Sequence, residues 1–112
     1  IGLGLPGGGT SSTSESPLAA AHRELLEETG YEPGTLESVG SGFANWANQT
    51  NRVHYVLALD CVLVAPQDLD ENEEIEVSLM PLADFDPKKL QQSYHLAAAL
   101  LSTQRLATLN GT

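Results

Sequence analysis

The sequence predicts an α+β domain in which a mixed β-sheet lies between helices, as an α/β/α sandwich. Two observations indicate this class. A helical pattern with clear caps precedes a run of strand-like segments, and a second helical pattern follows them near the C-terminus. The chain has 112 residues, which is enough for one core but not for two. We therefore expect residues 1–112 to form a single domain.

The first helix is predicted from Pro17 to Thr29. Ser16 is a residue type that caps helix N-termini, and proline is favoured at the first helical position. Gly30 follows the last helical residue, where a left-handed backbone conformation commonly ends a helix. Apolar residues recur at the spacing of one helix face, so we expect that face to join the core: Leu18, Ala21, Leu25 and Leu26.

The segments that follow predict three strands and a second helix. Residues 36–43 form a weak strand signal because two glycines interrupt it. Residues 52–64 give the strongest signal, and their apolar side chains occupy both alternating faces, which predicts burial on both sides. Residues 75–79 alternate as in a half-buried strand. The second helix is predicted to begin at Asp86 and Pro87, with core residues Leu90, Tyr94, Ala97 and Leu101.

Charge and composition limit the classes of partner. Fifteen acidic residues against five basic ones give a net charge of -10, which disfavours binding to a nucleic acid duplex or an anionic membrane. No apolar run approaches the roughly 20 residues that span a bilayer. Cys61 is the only cysteine, which excludes an internal disulfide, and with no signal peptide in view we expect a cytoplasmic protein.

The most informative residues are three glutamates in the second half of the first helix. Around the helix axis, Glu27 and Glu28 lie about 60° and 40° from Glu24, so all three carboxylates share one face. Like charges at this spacing, near the negative end of the helix dipole, oppose helix formation. A divalent cation such as Mg²⁺ or Mn²⁺ would explain them, and the alternative is a solvated acidic face with Arg23 paired to Glu27.

The residues around these glutamates complete a longer pattern. Gly9, Glu15 and the run Arg23-Glu24-Leu25-Leu26-Glu27-Glu28-Thr29-Gly30-Tyr31 match the Nudix signature G-x5-E-x7-R-E-U-x-E-E-x-G-U at every position. Seven fixed residues would coincide by chance roughly once in 10⁸ windows. The sequence therefore resembles the Nudix hydrolases, and residues 9–31 are called the Nudix box below.

The resemblance implies a loop, helix, loop element in which metal is bound by Glu24, Glu27, Glu28 and the carbonyl of Gly8. The metal would neutralise and orient a diphosphate and lower the pKa of the attacking water. Arg23 and Glu15 would be mainly structural, and Arg23 would hold the carboxylates in place by charge-assisted hydrogen bonds. The implied reaction is hydrolysis of a nucleoside diphosphate linked to another group.

A second acidic segment, residues 68–76, resembles the ADP-ribose pyrophosphatase branch of the family. That resemblance implies that Glu71 is the general base, in a catalytic set with Glu27 and Arg23, and that Glu73 is a further metal ligand. Arg52 would contact phosphate and Trp46 would stack on a nucleobase. The proline that this branch usually carries beyond the box is replaced here by Trp46 and Ala47. Composition alone would make residues 68–76 a solvated loop.

Two other functions stay open, a nucleoside triphosphate pyrophosphohydrolase and a non-catalytic nucleotide-binding Nudix domain.

The fold implied by the resemblance normally has several strands before the box, whereas only residues 1–8 precede Gly9 here. We therefore expect a Nudix fold that lacks the usual N-terminal strands. An open sheet edge would then favour pairing with a second copy, so we expect a homodimer acting on a small-molecule nucleotide.

Overall fold

The computed structural model describes residues 5–8, 15–43 and 52–110. The elements in these ranges are α1 (Pro17–Thr29), β1 (Tyr31–Glu32), β2 (Thr35–Phe43), β3 (Arg52–Leu59), β4 (Val62–Leu63), 3₁₀ turns at Leu82–Asp84 and Pro87–Lys89, and α2 (Ser93–Leu109). The chain groups into two units. The box unit contains Leu5–Leu36 and Ala58–Asp86, and the α2 unit contains Glu37–Leu57 and Pro87–Thr112.

Local capping sets both ends of α1, at the predicted positions. The Ser16 hydroxyl accepts a hydrogen bond from the Ala19 amide at 3.1 Å, which satisfies one of the unpaired donors of the first turn. Gly30 adopts the left-handed conformation with φ of 79°, and its N–H donates to the Leu26 carbonyl at 2.8 Å. The predicted bounds of this helix are confirmed.

The buried face of α1 differs from the predicted one. Leu18 is 39% exposed, whereas Ala20 is only 6% exposed and Glu28 only 7%. Ala20, Glu24 and Glu28 are spaced four residues apart, so they share one face of the helix. The inner face of α1 is therefore the one that carries two of the box glutamates. The placement of Leu18 in the core was wrong.

The predicted strand over residues 52–64 is two strands in the structure. β3 ends at Leu59 because Asp60 adopts a positive φ of 54°, a conformation that breaks a strand. The Gly34 amide contacts the carbonyls of Leu59 and Asp60, at 2.9 and 3.2 Å, and so holds this bend. Sequence periodicity carries no signal for such a contact between distant residues.

Four strands form two separate two-stranded sheets in the described ranges. β1 pairs with β4 in antiparallel register, with Tyr31 opposite Leu63, and β2 pairs with β3. The α+β class is confirmed, with the correction that these strands do not make the single mixed sheet that we expected. Burial on both faces was also wrong, since Leu63 is 61% exposed and β3 alternates between exposed and half-buried residues over its first half.

The predicted strand at residues 75–79 does not form. Leu79 is 74% exposed, and no strand is assigned there in the described part of the chain. The Ile75 carbonyl accepts a hydrogen bond from the Gln67 side chain at 3.0 Å, where a strand would have a backbone partner. The alternating pattern predicted a strand, but the Ile75 carbonyl is bonded to a side chain and not to the backbone of a neighbouring strand.

In the α2 unit, the start of the helix and the burial of its predicted core residues differ in part from the prediction. The 3₁₀ turn Pro87–Lys89 precedes α2, so the helix begins later than predicted. Leu90 and Ala99 are buried, whereas Tyr94 is 43% exposed and was wrongly placed in the core. A Cβ atom on Gly40 would lie 2.8 Å from Leu101, which shows how closely β2 approaches this helix. No described helix is long and apolar enough to cross a membrane.

Candidate active site

Arg23 joins the acidic residues of the box. Its Nε and Nη2 atoms donate to the two carboxylate oxygens of Glu15 at 3.0 and 3.2 Å, in a bidentate pair. Its Nη1 atom donates to Glu24 at 2.8 Å and to Glu27 at 3.3 Å. Hydrogen bonds to Glu15 and then Glu24 raise the pKa of Arg23, so the guanidinium stays charged. One cation thereby orders three carboxylates from the loop and the helix.

Glu28 is the enclosed carboxyl group of the box. Its side chain accepts a hydrogen bond from the Gly7 amide at 3.2 Å, across the loop that precedes the helix. Burial, above all, raises the pKa of Glu28 to about 7, and a hydrogen bond to Glu24 and the charges of Glu24 and Glu73 act in the same direction. The Gly7 amide partly opposes this rise. A positive charge next to Glu28 would offset both the cost of ionising a buried carboxyl group and the repulsion from its acidic neighbours.

Gly8 lies directly against the Glu24 carboxylate. A Cβ atom at this position would collide with all three carboxylate atoms of Glu24, whereas a Cβ atom on Gly7 would meet no atom of the described residues within 4 Å. The backbone of residue 8 can approach the carboxylate only because it has no side chain. The structure thus brings together Gly8 and Glu24, two of the residues predicted to bind metal.

The acidic loop, residues 68–76, is attached to the C-terminal end of α1. The Asp68 amide donates to the Glu27 carbonyl at 2.7 Å, and Gln67 Nε2 donates to the Glu28 carbonyl at 2.7 Å. These donors satisfy carbonyls that have no partner within a helix. The loop therefore begins at the same helix end that carries the box glutamates.

Within the acidic loop, Glu73 and Glu71 are placed differently. Glu73 accepts a hydrogen bond from the Asp70 amide at 2.9 Å, and its charge acts on Glu28. Glu71 is exposed at the tip of the turn between Asp70 and Glu73. Both side chains are exposed, and the charge of Glu73 is the one that acts on Glu28.

The donor set suits a hard divalent cation. The oxygens are carboxylates of Glu24, Glu27, Glu28 and Glu73 and the carbonyl of Gly8, which is the ligand type that Mg²⁺ and Mn²⁺ prefer. In the ranges that the structure describes, no three acidic or histidine side chains already surround one point. Arg23 bonds Glu24 and Glu27, and Glu24 is in turn hydrogen-bonded to Glu28. The chemistry of the set therefore fits the cation.

The remaining predicted site residues are Arg52 and Trp46. Arg52 begins β3, is exposed, and donates from Nη1 to the Ser41 hydroxyl at 3.0 Å. Trp46 lies outside the described residues.

Two residues that the sequence reasoning missed are Gly7, which holds Glu28, and Gln67, which holds the loop. Gly7 could have been found from its place beside the box, whereas Gln67 belongs to no motif.

Comparison with known families decides the ancestry of this element. The model of the NUDIX domain matches residues 2–100, which is most of the chain. The chain belongs to the Nudix family. The arrangement of Arg23, Glu24 and Glu28 described above is therefore the Nudix box of a family member, and its match to the signature is not a coincidence of composition.

A solved structure agrees with this Nudix assignment at the level of the fold. A structure described as an ADP compounds hydrolase superposes with a TM-score of 0.71 and is 24% identical in sequence. The matched region covers 88% of this chain and 55% of that one, so this chain spans little more than half the length of its structural neighbour. The search of curated proteins found no significant match.

Proposed function

We propose that this chain is a metal-dependent hydrolase that cuts the diphosphate linkage of an ADP-linked compound, with ADP-ribose as the first candidate. The products would be AMP and a phosphorylated sugar. The observation that carries the proposal is the enclosure of Glu28, which is 7% exposed beside the carboxyl groups of Glu24 and Glu73. The description of the structural neighbour as an ADP compounds hydrolase supports adenosine as the nucleoside.

Ionising the carboxyl groups of such a site costs free energy unless a cation binds next to them. An enclosed carboxyl group that ionises without a partner loses hydration, and its acidic neighbours add repulsion. Glu24, Glu27, Glu28, Glu73 and the Gly8 carbonyl would hold Mg²⁺ or Mn²⁺. When bound, such an ion supplies positive charge to the diphosphate and makes a water molecule more acidic.

The chain's own residues would then orient and deprotonate the reactants. Arg23 keeps Glu24 and Glu27 in fixed rotamers through its hydrogen bonds at 2.8 and 3.3 Å. A water oxygen attacks one phosphorus, the bridging P–O bond breaks, and Glu71 accepts the proton of the water. The exposed position of Glu71 on its turn suits this role, because a base must exchange its proton with solvent afterwards.

Substrate recognition is assigned to two further residues. Arg52 would donate to a phosphate oxygen of the substrate, since a guanidinium pairs well with phosphate. Trp46 would stack on the adenine ring. The chain has only five basic residues, so contacts from the protein to phosphate are few and the bound cation carries most of this recognition.

The substrate assignment is tested by incubating the chain with ADP-ribose or with nucleoside triphosphates, in Mg²⁺ or Mn²⁺, and identifying the products. AMP and ribose 5-phosphate from ADP-ribose are expected. Nucleoside monophosphate and inorganic pyrophosphate from a triphosphate would favour the pyrophosphohydrolase instead. Nucleotide binding without turnover in either cation would contradict the enzyme and favour a binding domain.

We also propose a homodimer in the cytoplasm. Support for the dimer comes from the exposed apolar residues of the box unit, of which Leu63 and Leu79 are 61% and 74% exposed. Support for a reducing compartment comes from Cys61, which is free and exposed. Sedimentation velocity should give twice the monomer mass, and a monomer across the micromolar range would contradict the dimer.

A further inference from the structure

The side chain of Gln67 joins two backbone segments of the box unit. Its Nε2 atom lies 2.7 Å from the Glu28 carbonyl oxygen and 3.0 Å from the Ile75 carbonyl oxygen. Both partners are acceptors, so the nitrogen and not the amide oxygen must face them. The two hydrogens of this nitrogen are thereby both used, which fixes the orientation of the side chain.

The first of these bonds completes the C-terminal end of α1. The last carbonyls of a helix have no partner within it. Here the Leu26 carbonyl receives the Gly30 amide, the Glu27 carbonyl receives the Asp68 amide, and the Glu28 carbonyl receives Gln67. Two consecutive carbonyls at the helix end that carries the box glutamates are thus bonded to residues 67 and 68, where the acidic loop begins.

The second bond draws together the two ends of the acidic loop. Gln67 and Ile75 lie eight residues apart, on either side of a turn that is closed within itself. In that turn the Glu73 amide donates to the Asp70 carbonyl at 3.0 Å, and the Asp70 amide donates to the Glu73 carboxylate at 2.9 Å. The turn is therefore a small preformed piece, and Gln67 and Asp68 are what attach it to α1.

We infer that Gln67 is a positioning residue, which holds the acidic loop against the end of α1 so that Glu73 lies beside Glu28. The inference rests on the proposed function where it treats these two glutamates as cation ligands. The residue type is restricted by the geometry. Glutamate at this position would place an oxygen against two carbonyl oxygens, and methionine would fill the same space with no donor.

The experiment compares Gln67→Glu and Gln67→Met with the unmodified chain and with Gln91→Glu. Gln91 is exposed in the α2 unit, so Gln91→Glu adds the same charge without touching the loop. Two quantities are measured well below the melting temperature, after circular dichroism has shown that each variant is folded. The first is the amide hydrogen exchange of residues 68–75. The second is the affinity for Mn²⁺, which is measured from the decrease in the electron paramagnetic resonance signal of the free ion.

We expect the exchange of the Asp68 amide, which donates to α1, to rise about tenfold or more in both Gln67 variants, and the affinity for Mn²⁺ to fall about tenfold. The Asp70 and Glu73 amides are bonded within the turn and should change less. Gln91→Glu should change neither the exchange nor the affinity. Unchanged exchange in the loop would overturn the inference, and so would faster exchange with unchanged Mn²⁺ affinity. If the unmodified chain binds no Mn²⁺, the proposed function fails, and the exchange data alone then decide whether Gln67 holds the loop.

Discussion

The box unit contains two acidic groups that resemble each other in composition and differ in structure. In α1, Glu24 and Glu28 are largely shielded from solvent and bonded to Arg23 or to the Gly7 amide. In the acidic loop, all six carboxylates are exposed, and the charge of Glu73 acts on Glu28. An exposed carboxylate ionises at little cost, whereas an enclosed one requires a compensating charge. Enclosure, more than the density of acidic residues, therefore distinguishes the proposed cation site from the acidic loop.

The largest expected effect comes from Glu28→Gln, which keeps the shape of the enclosed residue and removes its charge. Loss of one ligand should cost about 4 kcal/mol of transition-state stabilisation, or roughly 10³-fold in rate. Turnover of ADP-ribose at saturating Mg²⁺ is the measurement. The matched control is Glu76→Gln in the exposed loop, and equal losses in the two variants would remove the distinction between the two acidic groups.

Within the acidic loop, Glu71→Gln should lower kcat by about 10²-fold and leave the affinity for Mn²⁺ unchanged, because a general base contributes to the chemical step and not to ligation. Glu74→Gln, at a neighbouring exposed position, should retain the original kcat. A normal kcat for Glu71→Gln would show that the loop residue which faces solvent takes no part in the reaction.

Stability against pH should distinguish the enclosed group from the exposed one. The pKa of Glu28 is about 7 in the folded chain against an ordinary value of 4.5, so its stabilising contribution is complete below pH 4.5 and is lost as the pH rises to about 7. The loss is on the order of 3 kcal/mol. In the absence of divalent ions, the melting temperature of the unmodified chain should fall more steeply over this window than that of Glu28→Gln. Parallel curves would contradict the enclosure of Glu28.

The smallest effect expected is that of Gly8→Ala, which adds a methyl group against the Glu24 carboxylate. Displacing this one carboxylate should weaken Mn²⁺ binding about tenfold. The preceding Gly7→Ala adds the same methyl group in open space and retains the amide that donates to Glu28, so it should bind Mn²⁺ normally. Equal affinities in the two variants would show that the backbone approach at residue 8 has no role in the site.

How far the sequence predicts this molecule depends on whether the determinants are local. α1 was predicted residue by residue because Ser16 and Gly30 act on their immediate neighbours. The end of β3 was missed because it depends on Gly34, which is distant in sequence from Asp60. The box residues were found through their spacing, but the enclosure of Glu28 depends on how α1 packs. Gln67 lies in no motif, and only the folded chain shows its two acceptors.

The central claim, that the enclosed carboxylates of α1 form a cation site, is tested most directly by titrating the unmodified chain and Glu28→Gln with Mn²⁺. The account predicts saturable binding to the unmodified chain, competed by Mg²⁺, and an affinity at least about tenfold lower in the variant. Equal affinities, or no binding by the unmodified chain, would contradict it.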